Sequence, residues 1–251
     1  MPTQLSRKIF YPKHANRLPA IIVLSGSEGG IEKAQSIAQL LANHGFSALA
    51  IGYFNIKGLT SNLSQIPIEI IKSAIDFLKS HDVTDKDRIG IYGRSKGAEF
   101  ALLAASYYTQ IKCVVINSPS NIVYEGISHK RLPIRKSSWS YKGKDINYFP
   151  FSYRSFIWSK IKNQSFPIVR ENSEYEIPVE KTNGNIFCVF STKDEIWNAE
   201  LATTRIEKRL KRYQFKNKLR IMRVEHTGHM LTVPFQPNNR YKSISQCRNY
   251  E

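Results

Sequence analysis

Short apolar runs alternate with stretches of helical spacing along most of this chain. The apolar runs have the length of strands and cover Ala20–Leu24, Ser47–Gly52, Arg88–Tyr92, Lys112–Asn117, Asn185–Phe190 and Leu219–Val224. The stretches with helical periodicity cover Glu32–His44, Pro67 to about Ser80, Lys96–Tyr107 and Ala199–Tyr213. Gly45 follows the first of these stretches as a predicted C-cap. This alternation predicts an α/β fold in which helices pack on both faces of a mostly parallel sheet.

The regular pattern breaks down between Asn117 and Asn185. The segment mixes basic residues and prolines with many aromatic residues, namely Tyr124, Trp139, Tyr141, Tyr148, Phe149, Phe151, Tyr153, Phe156 and Trp158. Long irregular segments inside a compact domain are usually functional or disordered, and this aromatic content argues against disorder. We therefore interpret residues 118–184 as a cap or lid insertion. A surface excursion without a function is the alternative.

The length and the cysteine content bound the class of protein. A chain of 251 residues suits one domain, spanning residues 1–251, with a sizeable core. No apolar run approaches the roughly 20 residues of a membrane helix, so we expect no transmembrane segment. The amino terminus lacks the apolar stretch of a secretion signal. Cys113, Cys188 and Cys247 are scattered, and two of them lie in apolar runs, which favours buried free thiols in a reducing compartment. We expect a cytoplasmic protein.

The formal net charge of +17 is large. Such a charge fits an anionic substrate, a membrane surface or nucleic acid, but a lysine-rich composition with solvated basic faces is the simpler explanation. The basic run Lys208–Arg212 lies on a predicted helix and is typical of such a face. The chain carries no known nucleic-acid-binding motif, so no nucleic-acid partner is expected.

The pentapeptide Gly93–Gly97 matches the G-x-S-x-G pattern of a nucleophile elbow. The pattern holds a serine on a sharp turn between a strand and a helix, and its glycines let the two elements approach each other. Here an apolar strand ends at Tyr92 and a helix begins at Lys96, so the context matches. We predict Ser95 as the nucleophile of a serine hydrolase with the α/β-hydrolase fold. A strand–turn–helix unit with an incidental serine is the alternative.

A serine nucleophile needs a base, and the base needs a carboxylate to orient it. In this fold the carboxylate and then the histidine follow the serine along the chain. Asp194 follows one predicted strand and His229 follows the last, so we predict a Ser95–His229–Asp194 triad. Glu195 and His226 are the alternatives for the carboxylate and the base. No third ligand accompanies the two histidines, so neither a metal nor a cofactor is predicted.

The oxyanion hole of such a site uses backbone N–H groups. One comes from the residue after the nucleophile, which is Lys96, and the other from the loop after an earlier strand. That loop is the glycine-rich segment Ser25–Gly30, in which Ser27 is our prediction. A plain tight turn is the alternative for its glycines. A phosphate-binding loop is a weaker alternative because neither the P-loop nor the dinucleotide-binding pattern is met.

Several motifs carry a family resemblance that spans about residues 18–235. In chain order they are Ser25–Gly30, Gly45–Ala50, Tyr53–Asn55, Gly93–Glu99, Val115–Ser118, Ile177–Glu180, Asp194 with Trp197, and Thr227–His229. With them the chain resembles the C-terminal catalytic domain of the acyl-CoA thioesterase / bile acid-CoA:amino acid N-acyltransferase family. The family's triad maps onto Ser95, Asp194 and His229.

The resemblance implies hydrolysis of acyl-CoA thioesters to a carboxylic acid and CoA. The N-acyltransferase branch of the family is similar but carries cysteine as nucleophile, so a serine favours transfer to water. A carboxylesterase acting on oxygen esters is the first alternative, since one triad serves both bonds. A non-catalytic or membrane-surface binding protein that keeps the hydrolase shell is the second.

The chain departs from the family in three places. Animal members carry a β-sandwich domain before the catalytic one, and only about 18 residues precede the resemblance here. Many members have two aspartates before the tryptophan, and this chain has Lys193-Asp194. Members also continue into a closing helix after the histidine. This chain ends at Glu251 after the loop-like Pro234–Arg240 stretch, so we expect that last helix to be missing.

Overall fold

Seven strands form one central sheet in the computed structural model, which describes residues 6–13, 16–152, 154, 157–158, 161, 174–225 and 228–231. The strands are, in chain order, β1 Ser6–Phe10, β2 Leu18–Leu24, β3 Ser47–Gly52, β4 Ile66–Pro67, β5 Thr84–Arg94, β6 Ile111–Asn117, β7 Glu125–Ile127, β8 Pro133–Ser137, β9 Trp139–Tyr141, β10 Lys144–Asp145, β11 Asn185–Ser191 and β12 Leu219–Val224. The helices are α1 Glu32–Asn43, α2 Glu69–Ser80, α3 Lys96–Tyr107 and α4 Ala199–Arg212, and a 3-10 turn covers Val179–Lys181.

The central sheet has the strand order β1-β3-β2-β5-β6-β11-β12. Only the pair β1–β3 is antiparallel; the other neighbours run parallel, as the βαβ pattern predicts. The strands β2 and β3 bury alternate side chains against different helices. Ala48 and Ala50 pack towards α1, whereas Leu49 and Ile51 belong to the core shared with α2, α3 and α4. The predicted α/β-hydrolase architecture, with helices on both faces of the sheet, is therefore confirmed.

Most predicted boundaries agree with the structure to within a few residues, but two details differ. The antiparallel strand β1 was not predicted, because only its last two residues, Ile9 and Phe10, are apolar. Pro67 does not open α2: Ile66–Pro67 pairs with Trp139–Ser140 as a short strand, and the helix begins at Glu69. Gly45 follows α1 with a φ of 88°, which confirms the predicted C-cap.

The segment between β6 and β11 contains more regular structure than its sequence pattern predicts. Strands β4, β9 and β10 form one small sheet, and β7 and β8 form a hairpin. Trp139 of β9 is fully buried and stacks on Phe100 of α3, with ring centroids 4.3 Å apart. This part of the aromatic segment therefore belongs to the core. The role of residues 118–184 as a lid stays a prediction, and residues 162–173 lie outside the described residues.

The cysteines differ in their environments. Cys188 is buried, whereas Cys113 is exposed, so the prediction of a buried thiol was wrong for Cys113. Cys113 lies near the start of β6, where it and the preceding Lys112 are both exposed. Cys247 lies outside the described residues. Within the described part of the chain, no helix is long and apolar enough to cross a membrane.

The carboxyl ends of five parallel strands meet at one edge of the sheet. The register pairs Leu24 with Gly93, Arg94 with Asn117, and Ser191 with Val224. The chain order of the strands reverses between β2 and β5, and sheets of this type bind ligands at such a reversal. The loops after β2, β5, β6, β11 and β12 therefore come together at the position where a site is expected.

Candidate active site

Ser95 lies on the turn between β5 and α3 with a φ of 55° and a ψ of −122°. Residues other than glycine rarely adopt this backbone conformation, and such strain is typical of functional positions. The Ser95 N–H donates to Asn117 O at the end of β6, at 2.9 Å. The flanking glycines are required by space: a Cβ on Gly93 would lie 2.0 Å from Gly97 O, and one on Gly97 would lie 2.1 Å from Ser25 O. The local geometry is that of a nucleophile elbow.

We expect Gly97→Ala to destabilise the domain by about 3 kcal/mol. The added methyl would meet the backbone of Ser25, which cannot move without shifting β2. Urea unfolding measures the loss. Gly143→Ala is the matched control, because its methyl meets no described atom within 4 Å. That control should lose only about 1 kcal/mol, from its left-handed φ. Equal losses in the two variants would contradict the close-packing argument.

The side chains of Ser95, His229 and Asp194 form a continuous hydrogen-bonded chain. His229 Nε2 lies 2.8 Å from Ser95 Oγ, and His229 Nδ1 lies 2.8 Å from Asp194 Oδ2. All three side chains are nearly buried, at the junction of the loops after β5, β11 and β12. With Nδ1 protonated towards Asp194, Nε2 is free to accept the serine proton. The structure thus brings the three predicted triad residues together.

The loop of Asp194 is organised by the carboxylate itself. Asp194 Oδ1 accepts the N–H groups of Ile196 and Trp197 at 3.0 and 3.1 Å, which leaves Oδ2 for the histidine. The Trp197 indole lies edge-on to the His229 ring, with centroids 5.2 Å apart, and donates to Ser118 O at 3.2 Å. Tyr124 stacks on that indole, with ring centroids 5.4 Å apart. Trp197 therefore fixes the plane of the imidazole.

The main chain of His229 is held as firmly as its ring. Its N–H donates to Glu195 Oε2 at 2.8 Å, and its carbonyl accepts the Ser118 hydroxyl at 2.7 Å. Glu195, the alternative carboxylate, thus contacts the backbone of the histidine loop, and Asp194 contacts the ring. The alternative base, His226, lies outside the described residues.

The loop Ser25–Gly30 lies directly beside the nucleophile. An ideal Cβ on Gly26 would be 3.2 Å from Ser95 Cβ. The loop is held from below by Tyr53, whose hydroxyl donates to Ser25 O at 2.7 Å, and from outside by Arg131, which donates to Ser27 O at 2.7 Å. Among the described residues, no acceptor takes the N–H of Ser27 or of Lys96. Their service as an oxyanion hole stays a prediction.

The side chain of Lys96 points away from solvent into the core. Its Nζ donates to both carboxylate oxygens of Glu99 at 2.8 Å, and Glu99 is fully buried. Glu99 Oε1 also accepts the Trp139 indole N–H at 2.7 Å and the Tyr124 backbone N–H at 3.0 Å. Burial raises the pKa of Glu99 and lowers the pKa of Lys96, and the opposite charge of each partner counteracts that shift. This pair joins the elbow helix to the aromatic segment.

Sequence reasoning predicted the three residues of the hydrogen-bonded chain but missed their supports. Glu195, Ser118 and Trp197 hold the histidine and aspartate loops. Glu195 was considered only as the alternative carboxylate, and Ser118 and Trp197 were named only as parts of the family motifs. The spacing of Lys96 and Glu99 on a predicted helix was the only available signal for their ion pair. Arg94 and Glu28 also form an ion pair, but they are far apart in the chain, so no spacing in the sequence indicates it.

Fold and site together define an α/β hydrolase with serine, histidine and aspartate in hydrogen-bond contact. The profile of the family described as BAAT / acyl-CoA thioester hydrolase, C-terminal, matches residues 66–250. The chain belongs to this family, as the motif resemblance predicts.

Curated relatives match most of this chain. Acyl-coenzyme A amino acid N-acyltransferase 2 of Mus musculus is 30% identical over 234 residues, covering 91% of this chain and 53% of the relative. Acyl-coenzyme A thioesterase 6 of Homo sapiens is 28% identical over 233 residues, covering 92% and 53%. The chain therefore spans about half the length of these relatives.

Solved structures share the fold. A dienelactone hydrolase-like promiscuous phosphotriesterase from metagenomic libraries has a TM-score of 0.60 at 12% identity, covering 93% of this chain and 81% of that one. A putative dienelactone hydrolase of Klebsiella pneumoniae has a TM-score of 0.57 at 15% identity, covering 91% and 88%. At these identities the likeness concerns the fold alone.

Proposed function

We propose that this protein is a serine hydrolase that cleaves acyl-CoA thioesters to a carboxylic acid and CoA. The observation that carries the proposal is the hydrogen-bonded chain from Ser95 Oγ through His229 to Asp194, found in a member of an acyl-CoA thioester hydrolase family. The names of the relatives support the substrate class, since both act on acyl-coenzyme A. The serine nucleophile favours water as the acceptor.

The reaction proceeds through an acyl-enzyme. Ser95 Oγ attacks the thioester carbonyl carbon while His229 Nε2 takes the hydroxyl proton, and Asp194 stabilises the resulting imidazolium. The N–H groups of Lys96 and Ser27 stabilise the oxyanion. The C–S bond breaks and His229 returns the proton to the CoA sulfur. Water, deprotonated by the same imidazole, then releases the acid and restores the serine.

A labelling and turnover experiment tests this proposal. The purified protein is treated with a fluorophosphonate probe, the modified residue is mapped, and acyl-CoAs of several chain lengths are assayed beside p-nitrophenyl esters. We expect an adduct on Ser95 and turnover of acyl-CoA. Folded protein without an adduct would support a non-catalytic binding protein instead. An adduct with turnover of oxygen esters alone would support a carboxylesterase.

The guanidinium of Arg131 lies against the predicted oxyanion loop and is exposed. We expect Arg131→Ala to raise KM for acyl-CoA about tenfold, because a charge-assisted contact to the phosphates of CoA would be lost. The KM for the corresponding N-acetylcysteamine thioester, which has no phosphate, should not change. Steady-state assays with both substrates measure this difference. Lys112→Ala, on a distant surface, is the control, and equal effects on both substrates would contradict a phosphate contact.

A further inference from the structure

Arg94, the residue before the nucleophile, contacts two of the loops that surround Ser95. Its Nη2 donates to Glu28 Oε1 at 2.5 Å, and its Nη1 donates to Met230 Sδ at 2.7 Å. Glu28 belongs to the loop Ser25–Gly30, and Met230 directly follows His229. The side chain of Arg94 is only 7% exposed. One buried side chain thus connects the elbow, the predicted oxyanion loop and the histidine loop.

The carboxylate of Glu28 is folded back into its own loop. An ideal Cβ on Gly26 would lie 2.8 Å from Glu28 Oε2, so the carboxylate covers the position beside Gly26. Burial opposes the charge of Glu28, but Arg94, Lys33 and the backbone N–H groups of Glu28 and Gly26 outweigh it and lower its pKa. Glu28 is therefore an anion that accepts the backbone N–H groups of Gly26 and Glu28, on either side of Ser27, and is itself held by Arg94.

Neither residue is placed to react. The charge of Arg94 is directed at Glu28, and among the described contacts neither side chain touches Ser95 Oγ or the His229 ring. Their effect must pass through the loops that they hold. An arginine can hold two partners at fixed angles because its guanidinium is a planar fork, whereas a lysine offers one mobile point charge.

We propose that Arg94 and Glu28 are positioning residues that set the oxyanion loop and the histidine loop relative to Ser95. The pair keeps the Ser27 N–H at the place where the oxyanion forms, so its contribution is made in the transition state. This inference rests on Ser95 as the proposed nucleophile and holds for a thioester or an oxygen ester alike.

The test compares transition-state and ground-state binding in Glu28→Gln, Arg94→Met and Arg94→Lys. The readouts are kcat and KM with a substrate that the wild type hydrolyses, the rate of fluorophosphonate labelling, and affinity for a trifluoromethyl ketone that forms a tetrahedral adduct. We expect kcat, labelling rate and ketone affinity to fall together by about tenfold to a hundredfold in Glu28→Gln, with KM within about threefold. Arg94→Met should match it, and Arg94→Lys should lose less.

Arg209→Met is the matched control. Arg209 also holds carboxylates of other elements, Glu176 at 2.8 Å and Glu180 at 2.6 Å, but lies on α4 away from the loops of the site. The variant Arg209→Met should lower the melting temperature and leave the affinity for the ketone unchanged.

Two results would overturn the inference. The first is folded Glu28→Gln with kcat, labelling and ketone affinity like those of an active wild type. The second is a rise in KM as large as the loss of ketone affinity, which would indicate general damage to the site. If Arg94→Met does not fold, Glu28→Gln decides, because its shape is nearly unchanged. An unlabelled, inactive wild type would instead refute the proposed function itself.

Discussion

His229→Ala is expected to lower kcat/KM by about four orders of magnitude, and Ser95→Ala by at least as much. The imidazole is the only described group in hydrogen-bond contact with Ser95 Oγ, at 2.8 Å, so its loss leaves an un-ionised hydroxyl without a base. Asp194→Asn should lose about as much, because an amide donor facing Nδ1 favours the wrong tautomer. Hydrolysis of acyl-CoA and labelling by a fluorophosphonate measure both effects.

We expect the three residues of the candidate triad to act as a unit, so the losses in rate caused by replacing them should not add. The double variant Ser95→Ala/His229→Ala is expected to be no slower than Ser95→Ala alone. Glu195→Gln should lose less than about tenfold, since its amide oxygen can still accept the His229 backbone N–H. His44→Ala, an exposed histidine at the end of α1, is the control with unchanged rate. A near-normal rate for His229→Ala would point to His226 as the base.

The residues of the candidate triad were predictable because each belongs to a local pattern. The elbow needs only a strand, five residues and a helix, and the order of Asp194 and His229 after their strands follows from the topology. These signals depend on neighbours in the chain. For the same reason α3 and β12 were predicted with the bounds that the structure shows.

The supports of the site could not be predicted because they join distant parts of the chain. Arg94 and Glu28 are 66 residues apart, and Trp139 reaches Glu99 over 40. Composition alone cannot tell a lid aromatic from a core aromatic. Trp139 was grouped with the lid for that reason, although it is fully buried against Phe100. Its indole N–H finds a partner only because Glu99 is buried too, which no periodicity reveals.

Lys96 combines a feature that the sequence predicts with one that it does not. The role of its backbone N–H was predicted from the position after the nucleophile, but no prediction was made for its side chain, and lysine side chains are rarely fully buried. The structure buries it against Glu99, with its Nζ over the rings of Tyr124 and Trp139 at 5.5 and 5.3 Å. The largest effect of this residue is therefore expected on stability.

Lys96→Met should destabilise the protein by about 3–5 kcal/mol, because it leaves Glu99 buried without its cation. Without Lys96 the pKa of Glu99 rises further, so the native state holds a proton that the unfolded state releases. The stability of this variant should therefore fall as the pH rises from about 5 to about 8, more steeply than that of the wild type. Urea unfolding at several pH values measures this dependence of stability on pH.

The double variant Lys96→Met/Glu99→Gln tests whether the two side chains are coupled. No charge is left in it, and the amide oxygen can still accept the Trp139 N–H, so it should be more stable than Lys96→Met near neutral pH. The single variant Glu99→Gln completes the comparison. If the loss of stability in the double variant equals the sum of the losses in the two single variants, the coupled ion pair is contradicted, because independent side chains give additive losses.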